Sequence, residues 1–484
     1  MNMLDRLIGV ISPDAGLRRH RSRQLLQRAY EGASMADGWR PRRAGASANT
    51  DHAADARTLR VRSRALEQNV PYIAQGLRAH SANIIGTGIV PRWTGADADA
   101  QNKAFKAWVP YADADGRLDF FGLQDLAHQT AARDGEVLVR IRHRRPSDGL
   151  PIPIQFQVLE IDWLDDSRNG MIDGLAVIEG IAYDVLGKVV GYYLFDTHPG
   201  DVITPRARRA SSRLIPADQI IHYFQPMRPG QGRGFPRLAP VIPRTRDLML
   251  YEDAEQHRKN LETRLSVIGV GDLDALSQNP GAPGITEPRN MGELPSGQLI
   301  QVPSGTDLTV VEPKAAGGYV DYVKLNLHLI AAGAGWTYEM MTGDVREVNF
   351  SSARIRRIDY QRDAEREQWL HVIPGMITPM TRAIADASEL GGVVRRASYE
   401  VRHSTPKWSY VNPRDDVASD IDEIAGGLSS YSEKLRQRGY DPEEVFQEMA
   451  DDVKRLRELD LLDVLTMLQK GRTMQQSPAP SPAK

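Results

Sequence analysis

The chain has 484 residues, enough for roughly three ordinary domains, and its 41% hydrophobic and 26% charged residues lie near globular values. It has no cysteine, which excludes disulfides, thiolate metal sites and cysteine nucleophiles and fits assembly in a reducing cytoplasm. The net charge of −2 hides an asymmetry: residues 1–64 hold 13 Arg against 6 Asp or Glu, whereas residues 412–463 hold 7 Lys or Arg against 15 acids, so the two ends suit oppositely charged partners.

Residues 1–30 read as a basic amphipathic helix or arm around LRRHRSRQLLQR, and residues 31–56 as a mobile Gly/Ala/Ser/Arg linker. The opening MNMLDRLIGVISPDAG has neither a long apolar core nor a cleavage motif, and no apolar run reaches about 18 residues, so no export signal or membrane span is expected. Over 57–86, Leu59, Leu66, Ile73, Leu77 and Ile84 fall near one helical stripe, which Pro71 divides into two helices. Gly86-Thr87-Gly88 then reads as a helix cap before a strand rather than a phosphate cradle. Strand signals follow at 136–143, 154–161, 175–183, 189–195 and 214–224, with a hairpin turn at 184–187.

Residues 244–265 lack Gly and Pro, and these 22 residues would span about 33 Å as a helix. Residues 266–317, punctuated by Pro280, Pro283, Pro288, Pro295, Pro303 and Pro313, are too long for a simple connection and read as a small strand-rich module inserted between two helices. The second helix is marked by Val320, Val323, Leu327, Ile330 and Ala334. Thr342-Gly343-Asp344 then forms a turn, 345–348 projects, and Asn349, Ser351 or Ser352 caps a helix that carries Arg354, Arg356, Arg357, Arg362 and Arg366 among Ile355, Ile358 and Trp369. Farther on, Val417, Ile421, Ile424 and Leu428 form a stripe and Gly439 closes a helix. Asp441-Pro442-Glu443-Glu444 opens the last helix, whose seam is Val445, Met449, Val453, Leu456 and Leu459. Residues 475–484 form a Pro/Ser/Ala tail expected to be disordered.

Catalytic motifs are missing: no GxxxxGK[ST], no HExxH or HxH among the 11 histidines, and no GxSxG. No catalytic, cofactor-binding or metal-binding residue is therefore expected. Glu160, Asp162, Asp165 and Asp166 cluster after a strand, as the carboxylates of a metal-dependent nuclease would, but a solvated strand exit explains them as simply. Arg140, Arg142 and Arg144 should share one strand face, where they could meet nucleic-acid phosphates or acids of another subunit. The same alternatives apply to Arg354, Arg356 and Arg357, whose helix also carries Asp359, Asp363, Glu365 and Glu367, so local or intersubunit pairing is favoured.

The segment AAGAGWTYEMMTGDVREVNFSSARIRRIDY at 331–360 resembles the portal proteins of lambda-type tailed bacteriophages. RVRSRALEQNVPYIAQGLRAHSANIIGTGIVPRW, ARDGEVLVRIR, IIHYFQPMRPGQGRGFPRLAPVI, YEDAEQHRKN and the late NPRDDVASDIDEIAGGLSSYSEKLRQRGYDPEEVFQEMADD follow in that family's order. One departure is Gly333-Ala334-Gly335-Trp336-Thr337, which lacks the proline of the relatives' Gly-Leu-Gly-x-Pro turn.

The resemblance implies an α+β portal fold: basic arm and linker 1–56, α/β wing 57–240, stem helix 241–265, clip 266–317, stem helix 318–335, channel-loop region with following helices 336–399, helical crown 400–470 and tail 471–484. It also implies a non-enzymatic head–tail connector: a homo-oligomeric ring, usually of twelve, at one capsid vertex, with double-stranded DNA passing through it during packaging and ejection. Terminase large subunit, major capsid or scaffold protein and a head–tail adaptor would be its partners, and no membrane. Its place would be the virion, and the host cytoplasm during assembly. Gly343, Asp344, Val345, Arg346, Glu347, Val348 and Asn349 would be the loop facing the channel. A near-neutral chain suits such a conduit, because each cation that neutralises a phosphate adds affinity and hence friction. The rival readings are a metal-dependent nuclease and a monomeric nucleic-acid-binding module.

Overall fold

The computed structural model describes residues 46–95, 97–201, 211–263, 267–270, 307–310, 318–346, 350–406, 408, 413–459 and 461. Contacts divide the chain into Met1–Asp51, whose described part ends in the first turn of helix α1, and His52–Lys484, the unit treated below. In chain order the first part contains α1 (Ala48–Asn69), α2 (Pro71–Ile84), β1 (Val90–Trp93), α3 (Ala98–Trp108) and α4 (Phe120–Asp134). Eight strands follow: β2 (Glu136–His143), β3 (Ile154–Glu160), β4 (Gly170–Ile172), β5 (Leu175–Ile178), β6 (Ile181–Tyr183), β7 (Val189–Phe195), β8 (Ser212–Pro216) and β9 (Ile220–Phe224). The remainder comprises α5 (Ile242–Thr263), β10 (Val267–Val270), β11 (Asp307–Val310), α6 (Tyr319–Ala334), α7 (Tyr338–Thr342), α8 (Phe350–Glu367), α9 (Thr378–Leu390), β12 (Val401–Ser404), α10 (Pro413–Ala425), α11 (Tyr431–Gln437) and α12 (Pro442–Glu458).

Helix α1 begins inside the stretch expected to be linker, because Ser47 Oγ accepts the Thr50 N–H at 3.2 Å and starts an alanine-rich helix. The 1–30 arm and residues 31–45 of the linker lie outside the described residues. Pro71 opens α2, where its missing N–H has no intrahelical partner to lose. After α2, Gly86 and Gly88 take φ of 53° and 111°, and the Gln124 amide bonds both the N–H and the carbonyl of Ile89, fixing the exit into β1.

β2 is the centre of an antiparallel sheet ordered β3-β2-β9. Its alternation builds two cores. Val137, Val139 and Ile141, with Ile154, Phe156, Ile221 and Tyr223, face α3, α4 and the π-helical turn Gln368–Ile377 that leads into α9. Leu138, Leu159 and Ile220 face the second sheet, β4-β5-β6-β7-β8, through Ile181, Tyr192, Leu194 and Ile215. Among the described residues of 57–240 the strand ladders are antiparallel, with an isolated parallel bridge between Asp113 and Phe156.

Two expected strands divide. The 175–183 run turns back at Glu179-Gly180, with φ of 47° and 80°, to make the β5-β6 hairpin. The 214–224 run breaks after Pro216, which has no N–H for the ladder, and a 3-10 turn over Ala217–Gln219 carries the chain from the second sheet to the first. The hairpin expected at 184–187 joins β6 to β7, with Asp184 Oδ1 accepting the Leu186 and Lys188 N–H groups. β12 pairs with β1, so the start of the 400–470 stretch is hydrogen-bonded to the sheet side of the molecule.

α5 and α6 bracket the inserted module, of which the described part is the antiparallel β10-β11 pair. The two helices pack with α2 around Leu248, Ile330, Ala331, Ala334 and Trp336. Val320, expected in this stripe, is exposed instead, since it lies in the first turn beyond the reach of that core. Gly335, at φ 74°, ends α6, and Thr337 caps α7 by accepting the Met340 N–H, so the turn closes without the missing proline. Trp336 packs so tightly on α2 that a Cβ at Gly76 would lie 2.3 Å from its ring. In the last helices, Ile421, Leu428, Met449 and Leu459 of the two expected stripes are exposed.

Candidate functional site

The loop after α7 starts at Gly343, whose φ of 71° gives the left-handed exit its residue type permits. Asp344 accepts the backbone N–H of Arg346 at 3.1 Å and its guanidinium at 2.9 and 2.8 Å, contacts that hold its carboxyl well below the usual range. Arg346 pairs with Asp344 of the same loop. Val345 is exposed. Glu347, Val348 and Asn349, and with them the Asn349 cap, lie outside the described residues.

Two of the α8 arginines make ion pairs within the chain. Arg356 reaches Glu339 on α7 and bridges the base of the 343–349 loop, and Arg362 lies near Asp359 one turn away. Arg354 and Arg357 also take part in polar interactions. Glu367 departs from the surface role expected of it, because it is buried at the far end of α8. Its Oε1 lies 3.2 Å from His80 Nε2 and 3.1 Å from His128 Nε2 and accepts from Gln225 Nε2 at 2.5 Å, while Oε2 accepts from Arg237 at 2.6 Å. Burial would raise this carboxyl, but His80, His128 and Arg237 hold it well below the usual range. Burial and the Arg237 charge push the His80 imidazole down to about 4.

A second buried carboxylate, Glu136, opens β2. Arg233 grips it at 2.8 and 2.7 Å, His222 Nε2 lies 2.9 Å away, and His52 and Arg60 approach from α1. Here too burial would raise the carboxyl, and Arg233 with the two histidines overturns that effect.

The acidic run after β3 belongs to the same docking of α1. Asp162 accepts from Arg60 at 3.2 Å and Arg64 at 2.5 Å, and Asp134 binds Arg64 at 2.9 and 2.7 Å. Asp165 is held by Ser167, Arg168 and Ser212. Glu160, Asp162 and His198 lie close enough to share an ion. Arg60, Arg64 and Arg133 already occupy these carboxylates, so the nuclease arrangement is not what this cluster forms.

Arg140 and Arg142 share one face of β2, continuing the row begun by Glu136 and Leu138, and Arg144 lies just beyond the end of the strand. Arg142 and Arg144 donate to Gln157 and Gln155 on β3. Burial and the neighbouring Arg142 and Arg213 charges push the Arg140 guanidinium below its usual range, the signature of crowded like charges. Sequence reading passed over Glu136, His80, His128, Arg233 and Arg237, and took Glu367 only as a balancing acid of its helix. A carboxylate opening an otherwise apolar strand, and another directly before the apolar QWLHVI run, were the available signals.

Among the described residues no helix is long and apolar enough to cross a membrane. The chain is 27% identical over 431 residues to a probable portal protein of Halomonas phage phiHAP-1, covering 84% of this chain and 82% of that one. Solved structures similar to it include a chain from the neck of a native GTA particle computed with C12 symmetry, with TM-score 0.43 and 15% identity over 77% of this chain and 90% of that one. Another is a chain from the virion of a native gene transfer agent particle, with TM-score 0.42 and 16% identity over 84% and 98% of the two chains. The family model for phage portal proteins of the lambda family matches residues 32–368, and the chain belongs to that family.

Proposed function

We propose that this chain closes into a ring, with twelve copies as the family resemblance implies, and forms the channel through which double-stranded DNA enters and leaves a capsid. The observation that carries the ring is a row of uncovered apolar side chains on the stem helices: Tyr322, Leu325 and Leu329 on α6 are 45%, 58% and 43% exposed, and Leu250 on α5 is 55% exposed. Their i, i+3, i+7 spacing makes one stripe, distinct from the face buried beside α2, and water alone is a poor partner for it. A ring supplies the missing cover because heterologous closure needs two different complementary faces on each copy.

In this reading 57–240 is the wing, α5 and α6 the stem, 266–317 the clip toward terminase and tail adaptor, 343–349 the loop toward DNA, and 400–470 the crown. The 1–56 arm engages capsid or scaffold protein. The protein carries no catalysis of its own, assembles in the host cytoplasm and ends in the virion. Arg140 and Arg142 on the wing and Arg354, Arg356 and Arg357 beside the loop meet acids of a neighbouring copy or DNA phosphates. Electron microscopy of the purified protein is expected to show rings with a central hole. A sedimentation mass of 53.8 kDa at micromolar concentration would refute the proposal.

A further inference from the structure

The polar cluster at the end of α8 points beyond conduit architecture. His80 on α2, His128 on α4 and Glu367 on α8 are all buried, and one ligand atom from each converges within 4.8 Å of the others. Both imidazole Nε2 atoms face the same carboxylate oxygen, at 3.2 and 3.1 Å. Donors around a four-coordinate ion with bonds of about 2.0–2.1 Å are separated by about 3.3 Å.

The hydrogen bond behind the His128 ring sets its tautomer. Ser81 Oγ donates its single proton to the Asp125 carboxylate at 2.6 Å, so toward His128 Nδ1, 3.0 Å away, it can only accept. His128 therefore carries its proton on Nδ1 and turns Nε2 toward Glu367. In a neutral ring that Nε2 is a lone pair facing an oxygen lone pair, a repulsive contact unless something positive lies between them. His80 is open to either tautomer, since the Tyr360 hydroxyl 3.2 Å from its Nδ1 can accept or donate, and with Tyr360 accepting its Nε2 also turns a lone pair toward Glu367. Imidazoles backed by hydroxyl partners, with their other nitrogens converging on a carboxylate, resemble the surroundings of a bound transition metal.

We propose that His80, His128 and Glu367 bind one divalent transition-metal ion of the zinc class, which ties α2, α4 and α8 together. Two nitrogens and one oxygen suit zinc better than calcium or magnesium, which require mainly oxygen donors. Arg237 holds the other Glu367 oxygen and so keeps Oε1 aimed at the imidazoles. The Gln225 oxygen accepts from Arg237, so its amide cannot turn over to become a ligand, and water from the cavity of about 460 Å³ that His80, Gln225 and Glu367 line takes the fourth position, displacing the Gln225 N–H from Oε1.

The test uses the full chain, purified without a histidine tag, cleared with chelator and titrated with zinc chloride in a calorimeter. One zinc per chain is expected, with stoichiometric binding lost in Glu367→Gln and affinity reduced about 10–100-fold in Ser81→Ala, which removes the hydroxyl behind His128 and its bond to Asp125 while leaving all three ligands in place. Should Glu367→Gln fail to fold, cobalt added to the wild-type chain gives an independent readout. Strong visible absorption from a four-coordinate ion supports the site. Only the weak spectrum of hydrated cobalt, wild-type protein that takes up no zinc, or equal uptake by a folded Glu367→Gln variant would overturn it.

Discussion

At residue scale, His403 gives the plainest pH dependence. It sits in β12, its Nε2 has no hydrogen-bond partner among the described residues, and burial pushes its imidazole down to about 4. The unfolded chain takes up this proton near 6.5. The stabilising effect is therefore complete above about pH 6.5 and is lost as pH falls from there toward 4, by roughly 2–3 kcal/mol in total. His403→Gln is expected to flatten the change in urea midpoint between pH 7 and 4.5, and an unchanged slope would count against the assignment. Glu136→Gln tests the other buried network. It leaves the nearly inaccessible Arg233 guanidinium without its counter-charge, and a destabilisation of about 3–5 kcal/mol is expected. A urea midpoint within error of wild type would show that the pair does not hold α1 against the sheets.

At element scale, the 343–349 loop joins two helices whose ends are already tied by the Arg356–Glu339 pair, and Gly343 lets the chain leave α7 without strain. The helices therefore do not depend on the loop for their own packing. Removing 345–348 is expected to leave ring assembly intact, as judged by electron microscopy, while impairing DNA packaging or retention in assembled particles. A deletion variant that packages and keeps full-length DNA would show that the loop does not face the channel. The Asp344–Arg346 pair bears on the same question, because an arginine engaged by its own loop presents less net charge to passing phosphates.

At the scale of the whole molecule, the uncovered stem stripe makes a prediction separate from the loop. The double change Leu325→Asp and Leu329→Asp places charge where a neighbouring copy would have to bury it, while the α6 face that packs on α2 and α5 is untouched. Light scattering is expected to shift from rings to single chains with far-ultraviolet circular dichroism unchanged. Rings of normal mass would mean that the stripe is not the subunit contact. The acidic 412–463 stretch and its exposed Met449 and Leu459 offer a further surface for the same closure.

Local signals in the sequence were enough for much of this protein. The break at Pro71, the Gly86 and Gly88 exit, β2 and β7 at their full lengths, the 184–187 hairpin and the Asp441-Pro442 helix start were all legible, because φ restrictions, missing donors and side-chain alternation act within a few residues. The family, too, was readable from the order of its motifs. Tertiary structure alone decided which charges go inside. Glu367 in an arginine-rich helix and Asp162 in an acidic run look alike as solvated residues in one dimension. His80, His128 and Arg237 make the first a buried anchor, and Arg60 and Arg64 make the second a latch for α1, across separations of about a hundred to nearly three hundred residues. A buried charge is tolerable only when partners surround it, and no local pattern records partners that folding brings from so far away.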